Sequence, residues 1–390
     1  MTEGELLIAA GRMVTPDWVG PGWLASADGR IAGVGPGRPV GPAAFDWPEL
    51  TVVPGFIDLH VHGGGGFDFS GGDPTAVRDA VAYHRAHGTT TTLASLVTAG
   101  PARLLAQVQL LAGLTEQGVI AGIHLEGPWL SAQRPGAHQV DLLRDPDPAE
   151  LDRLLEAGRG AIRMVTVAPE RAGGLDMIRR LVDAGVLAAV GHTDADYPTV
   201  CAAIEAGARL GTHLFNAMRG VHHREPGPVV ALLEDSRVTV ELILDGVHVH
   251  PALYRRVLSD AGAGRIALVT DAMAASGCPD GEYRLGALPV TVTGGAARLT
   301  GTDVIAGGTA TTAELFANAV RMSGRPEPVA LAEAVRLAST TPAAALGRTD
   351  VGTLRAGARA DLVALDQDLR PVAVMRGGQW VVEPPEAPRC

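Results

Sequence analysis

Through the middle of the chain, apolar runs of strand length alternate with stretches whose apolar positions recur at helical spacing. The runs lie around Thr51–Leu59, Thr90–Val97, Val119–Glu126, Ile162–Ala168, Leu187–His192, Arg209–Leu214, Val238–Asp245 and Arg265–Asp271. Between them, Thr75–His87, Ala102–Gln117, Leu175–Ala184 and Tyr197–Ala206 predict helices. The runs are continuously apolar rather than alternating, as strands covered on both faces must be. Eight such units predict an α/β fold, a (β/α)8 TIM-type barrel.

Both ends of the chain read differently. Glu5–Ala10 and Gly29–Gly35 are short strand patterns broken by Gly, Pro and Asp. After helical texture at Thr311–Met322 and Pro328–Ser339, strand patterns return at Gly357–Leu365 and Pro371–Val382. A β segment at Tyr283–Thr300 carries Thr293-Gly294-Gly295-Ala296 as a hairpin turn. The expected division is a barrel over residues 54–345, with a β insertion near 283–300, and a small β-sandwich domain built jointly from 1–53 and 346–390. The length of 390 residues suits a barrel of about 250 residues plus such an addition.

Composition narrows the classes. The net charge of −11 argues against a nucleic-acid-binding surface, though not against a local basic pocket for an anionic substrate. Cys201, Cys278 and Cys390 are odd in number and widely spaced, so neither a disulfide framework nor a Cys-based zinc site is expected. The opening Met-Thr-Glu-Gly-Glu lacks a basic leader, and no apolar run reaches about 18 residues. No membrane partner is expected, and the cytoplasm is the expected compartment.

The chemistry lies in the order of ligand-type residues. His60 and His62 end the first run, Glu126 the third, His192 the fifth, His213 the sixth and Asp271 the eighth. Barrels place their reacting groups at these downstream strand ends. Two His separated by one strand residue point the same way. A lone His at a strand end is ordinarily a satisfied structural residue, but six candidates in strand register read together as the metal site of a metal-dependent hydrolase. His and carboxylate without thiolate suit Zn²⁺, Fe²⁺, Mn²⁺ or Co²⁺. A bound ion lowers the pKa of its water towards ~7 and so provides hydroxide to attack a carbonyl. Asp271 could take the proton and pass it to a leaving nitrogen.

Other features read more plainly. Gly63–Gly66 lacks the Lys-Ser/Thr ending of a phosphate loop, and close backbone approach accounts for the glycines. His84 and His87 sit one turn apart on a helix and read as surface residues, as do His222 and His223, and no ligand role is assigned to His250. Ala274–Gly281 is a candidate lid loop.

The segment Pro54-Gly55-Phe56-Ile57-Asp58-Leu59-His60-Val61-His62-Gly63 resembles the opening motif of the amidohydrolase superfamily. His124-Leu125-Glu126-Gly127-Pro128-Trp129, Gly191-His192-Thr193, Thr212–Met218, Asp245–Val249 and Val269–Ala272 narrow the resemblance to its N-acetylglucosamine-6-phosphate deacetylase family. That resemblance implies removal of acetate from N-acetyl-D-glucosamine 6-phosphate, in amino-sugar catabolism and cell-wall recycling. It implies that Glu126, His192 and His213 hold the principal metal and that Asp271 is general base, then acid. The HxH pair permits a second ion with Glu126 bridging, so one or two divalent ions per chain are expected. His138 is implied to contact the sugar and steady the amide carbonyl, Asn216 and the Ala217 amide to hold the phosphate, and His248 to help bind the sugar phosphate. Arg224, within His222–Gly227, is implied to reach the phosphate of a neighbouring subunit's substrate, which makes the active unit a homodimer. Leu299–Thr309 follows the family pattern only loosely. The competing expectations are the same hydrolysis of N-acetylgalactosamine 6-phosphate or an N-acyl amino acid, and a barrel that has lost catalysis.

Overall fold

The computed structural model describes residues 6–384, so Glu5 of the expected first strand and Cys390 lie outside the described residues. The barrel strands are β1 (Phe56–Asp58), β2 (Thr89–Val97), β3 (Gly122–Glu126), β4 (Ile162–Val167), β5 (Leu187–Val190), β6 (Leu210–Gly211), β7 (Thr239–Leu242) and β8 (Ile266–Leu268). Each pairs in parallel with the next. The seam between β8 and β1 is tied at the mouth, where Asp271 N donates to His60 O and His62 N to Ala272 O, both at 2.8 Å. Ile57, Leu93, Met164, Leu210, Ile243 and Val269 fill the interior.

The helices covering the strands are α1 (Pro74–Ala86), α2 (Pro101–Glu116), α3 (Pro148–Gly158), α4 (Gly174–Asp183), α5 (Tyr197–Glu205), α6 (Gly227–Glu234), α7 (Pro251–Ala261) and α8 (Thr312–Met322). Several starts are written locally. Asp73 and Asp147 accept from Thr75 N and Ala149 N, each followed by a proline at the first helical position. Thr311 and Glu314 form a reciprocal capping box on α8. No helix among the described residues is long and apolar enough to cross a membrane.

The expected strand Thr51–Leu59 is two strands. Phe45–Pro54 joins the small sheet, where it pairs with Leu362–Leu365, and only Phe56–Asp58 enters the barrel. Gly55 makes the break. A Cβ there would lie 2.3 Å from Thr90 Oγ1, so the chain passes the foot of β2 at a distance only glycine allows. An uninterrupted apolar run carries no sign of this exchange.

The small domain is one continuous ladder of seven strands, in the order Gln379–Val382, Pro371–Arg376, Leu362–Leu365, Phe45–Pro54, Leu6–Val14, Val19–Ala27, Arg30–Pro36. Its register shifts beyond Ala10, and the ladder folds over so that Ile8, Leu24, Ile31, Trp47, Leu362 and Met375 share one core. Both chain ends thus build the two-layered β unit. The insertion is a three-stranded antiparallel sheet, Gly281–Leu285, Leu288–Thr293 and Ala296–Leu299, with Thr293 paired to Ala296 across two glycines of positive φ. It packs on Val97, Met273 and Ala306 at the barrel mouth.

One expectation is narrowed here and another fails. The candidate lid at Ala274–Gly281 is anchored at its start, where Ala275 and Ser276 are buried and Gly66 N and Gly65 N donate to Ala274 O and Ser276 O at 2.8 Å, while Gly277, Pro279 and Asp280 are exposed. His84 is fully buried rather than at the surface, and its Nε2 lies 2.8 Å from Gly63 O. Gly64 permits this, since a Cβ there would stand 2.6 Å from His84 Nε2. His87, half-buried, bonds Tyr83 O through Nδ1.

Candidate metal centre and substrate pocket

The loops that leave the barrel strands are sharply bent where they carry ligand-type groups. His192, His213, Phe215, Ala217 and Asp271 have φ of 47°, 28°, 79°, 49° and 47°, a region costly for residues with a Cβ. Three of these five are candidate ligands or bases. The strain turns side chains inward that a continuing strand would direct elsewhere.

The result is two groups of donors. His60, His62 and Asp271 form one, and Glu126, His192 and His213 the other, the donor atoms of each lying within 4.8 Å of one another. Glu126 joins them: Oε1 is 3.0 Å from the Nε2 of both His192 and His213, and Oε2 is 3.1 Å from His62 Nε2. Asp271 Oδ1 is 3.1 Å from His62 Nε2 and 3.4 Å from His60 Nε2. The Nε2 atoms of His60 and His62 are 3.2 Å apart, those of His192 and His213 3.1 Å. Two nitrogens each about 2.0–2.1 Å from one tetrahedral ion stand roughly 3.3–3.4 Å apart. The spacing therefore fits a shared cation.

Backbone and carboxylate partners fix which nitrogen is offered. His60 Nδ1 faces Glu241 Oε2 at 3.2 Å, His62 Nδ1 faces Ser95 O at 3.2 Å, and His192 Nδ1 faces Arg134 O at 3.0 Å. Each acceptor takes the Nδ1 proton and leaves the Nε2 lone pair for the centre, as in metal sites generally. His213 Nδ1 is buried without a partner among the described residues.

The electrostatics point the same way. Burial works to lower the imidazoles of His60 and His62, yet Glu126 and Asp271 outweigh it; His60 rises well above its usual range and His62 to about 9. Burial works to raise the two carboxyls, but His60 and its neighbours hold Glu126 well below the usual range and Asp271 at about 2. The centre is a largely buried anionic pair that draws positive charge, whether protons or a metal ion.

Glu241 is a supporting residue that motif reading missed. It lies on β7, fully buried, and accepts from His213 N at 3.1 Å as well as facing His60. The one sign of it is a lone carboxylate inside the apolar run Val238–Leu244. Asp58, already inside the opening motif, is also a support: it accepts from Thr270 Oγ1 at 2.6 Å and from His60 N at 3.2 Å, binding β1 to the end of β8.

A pocket of about 280 Å³ opens over the centre, lined by His138, Asn216, Ala217, His248, Asp271 and Asp303, among others. His138 Nδ1 accepts from Thr98 N at 3.3 Å, which places the ring proton on Nε2, 3.3 Å from Glu126 Oε2. Burial lowers its pKa to about 4, so it is a neutral donor. Asp245 fixes His248, with Oδ2 2.7 Å from Nδ1. Asn216 donates to His213 O at 3.1 Å, and the Ala217 N–H makes no hydrogen bond to the described residues. Val304, Ile305 and Gly307, from the loosely matching segment, also line the pocket. Arg224 does not: it sits on an exposed turn against His223, and among the described lining residues there is no Lys or Arg. His222 and His223 are exposed, as expected, while His250 caps α7 through Ala252 N.

Parallel strands that deliver His and carboxylate donors to one buried mouth define a metal-dependent hydrolase of the barrel class. The amidohydrolase family model matches residues 51–381. N-acetylgalactosamine-6-phosphate deacetylase of Escherichia coli O157:H7 is 39% identical over 96% of this chain and 98% of its own. N-acetylglucosamine-6-phosphate deacetylase of Vibrio furnissii is 36% identical over 90% and 86% respectively. An aspartate-to-alanine mutant of N-acetyl-D-glucosamine-6-phosphate deacetylase from Mycobacterium smegmatis, solved in complex with N-acetyl-D-glucosamine-6-phosphate, superposes with a TM-score of 0.96 at 56% identity, covering 97% of this chain and 100% of that one. The chain belongs to the amidohydrolase family.

Proposed function

We propose that the protein removes acetate from N-acetyl-D-glucosamine 6-phosphate, giving D-glucosamine 6-phosphate, as part of amino-sugar catabolism and cell-wall recycling in the cytoplasm. The observation that carries this reading is the pair of donor groups joined by Glu126, with Asp271 and His138 facing the same pocket. Glu126, His192 and His213 would hold one divalent ion and His60, His62 and Asp271 a second, Glu126 spanning both. Zn²⁺, Fe²⁺, Mn²⁺ and Co²⁺ all suit such donors. When bound, a divalent ion supplies a Lewis acid and a water acidified towards ~7.

The chain's own groups then divide the work. Asp271, anionic at its low pKa, takes a proton from the attacking water and returns it to the departing amine nitrogen. His138 stays neutral, and its Nε2–H, which faces Glu126 Oε2 at 3.3 Å, would turn to the acetyl oxygen as charge develops there. Asn216, the unpaired Ala217 N–H and His248 hold the sugar phosphate on the far wall. The lining has no Lys or Arg, so a guanidinium for the phosphate must come from elsewhere, and Arg224 of a second subunit fits that need in a homodimer.

A second reading has its own support. The Escherichia coli relative is named for N-acetylgalactosamine 6-phosphate, which differs only in the configuration of one hydroxyl. The test is acetate release from both phosphosugars and from unphosphorylated N-acetylglucosamine, with metal content measured on the same preparation. Turnover of the glucosamine phosphate well above its epimer supports the first reading. The reverse order moves the assignment to the epimer, and equal turnover without phosphate would sink the phosphate pocket.

A further inference from the structure

At the opposite end of the barrel, four guanidinium groups converge on a cavity of about 230 Å³. Its floor is the start of β2 at Thr90–Thr92 and the segment entering β3 at Gly118–Ala121, so it lies at the foot of strands whose other ends carry the metal centre. Arg85 comes from α1, Arg348 from the turn after the short helix Thr341–Ala345, and Arg359 and Arg376 from the small β domain. We propose that this cavity is an anion site for a phosphate or phosphomonoester dianion, held between the barrel floor and the β domain.

The charges do not balance without one. Arg348 pairs with Asp350 at 2.7 Å, and Arg359 pairs with buried Asp361 at 2.8 Å. Arg85 and Arg376 have only neutral partners: Arg85 Nη2 donates to Val119 O at 2.6 Å, and Arg376 donates through Nε to Thr90 O at 3.0 Å and through Nη2 to Gly118 O at 3.1 Å. Four cations against two carboxylates leave an excess of two positive charges, the charge of a dianion. This excess stands in a chain of net charge −11, so the accumulation is local rather than a general basic surface.

The donors are also in place. In all four arginines Nη1 makes no hydrogen bond to the described residues. Thr91 Oγ1 accepts from Arg359 Nη2 at 2.8 Å, which leaves its own hydroxyl proton for a further acceptor. Carbonyl contacts tie down Arg85, Arg359 and Arg376, and Asp350 ties down Arg348, which lowers the ordering an anion would require. Crowding is felt by the groups themselves. Burial, then the charges of Arg376 and Arg359, pull Arg85 down to about 10, and Arg376 is lowered by burial and by Arg359. A bound dianion would reverse that repulsion and bridge three parts of the chain.

Inorganic phosphate is titrated, at ionic strength held constant with potassium chloride, into the full chain and into Arg224→Gln, with binding read by calorimetry and by Tm. The expected result is saturable binding that survives Arg224→Gln and weakens roughly tenfold or more in Arg85→Gln and Arg376→Gln, with Arg376→Lys intermediate. Should those variants fold poorly, the unaltered chain decides: phosphate must protect Arg85 and Arg376 from an arginine-directed dicarbonyl reagent, read by peptide mass spectrometry. Glucose 6-phosphate binding more tightly than phosphate assigns an ester as the ligand, and the opposite order assigns free phosphate. Phosphate affinity unchanged in Arg85→Gln, or no protection in the unaltered chain, overturns the proposal.

Discussion

Glu241 Oε2 lies 3.2 Å from His60 Nδ1, and the same oxygen takes the backbone N–H of His213 at 3.1 Å. One buried carboxylate on β7 therefore braces a residue from each donor group. Removing its charge should loosen both. We expect Glu241→Gln to lower metal affinity by about 10–100-fold, the usual effect of losing such a partner. Chelator competition with metal analysis measures it; undiminished affinity would show that Glu241 only fills space.

Asp271 is proposed as both proton carrier and member of the His60–His62 group. Asp271→Asn should cut turnover by roughly 10²–10⁴-fold while metal on Glu126, His192 and His213 persists. Steady-state rates and metal content on one sample separate the roles. Loss of all metal along with activity would make Asp271 chiefly a ligand.

The cross-subunit assignment of Arg224 makes an unusual mixing experiment informative. Arg224→Ala should raise KM for the phosphosugar about 10²-fold and affect unphosphorylated substrate little. Mixing inactive Asp271→Asn chains with Arg224→Ala chains should restore activity, because each hybrid dimer pairs an intact Asp271 with an intact partner arginine. Additive, unrestored rates would place Arg224 in its own subunit's site or outside any site.

His84 supplies a pH prediction. Burial lowers its pKa from 6.5 to about 4, so the folded protein keeps it neutral where the unfolded chain would protonate it. The associated stability is complete above pH 6.5 and is lost as pH falls towards 4, a change of ~3 kcal/mol at most. Urea unfolding at pH 7.5 and pH 5 should therefore differ less in His84→Gln than in the parent. An identical pH slope would exclude His84 as a contributor.

The two donor groups of the candidate metal centre were legible because barrel chemistry ties function to position. His60, His62, Glu126, His192, His213 and Asp271 all follow apolar runs, and local sequence alone marks those runs. Glu241 was not legible, since one carboxylate has no spacing, and its inward direction depends on the strand's place in the closed sheet. His84 was misread because helical spacing does not reveal that a glycine stands where its ring lands. The run through Gly55 concealed a change of sheet, because apolar strands look alike whichever core they serve. The segment after Met273 shows the reverse limit: its Gly and Pro do not reveal that Ala274 O and Ser276 O accept from Gly66 N and Gly65 N.

Phe45–Pro54 has one neighbour from its own end of the chain, Leu6–Val14, and the other from Leu362–Leu365. During synthesis, its second edge must wait, unpaired, until nearly the entire barrel has left the ribosome. Strands made after the barrel thus complete the sheet begun before it, and a chain stopped short of residue 362 would carry an open apolar edge beside a finished barrel.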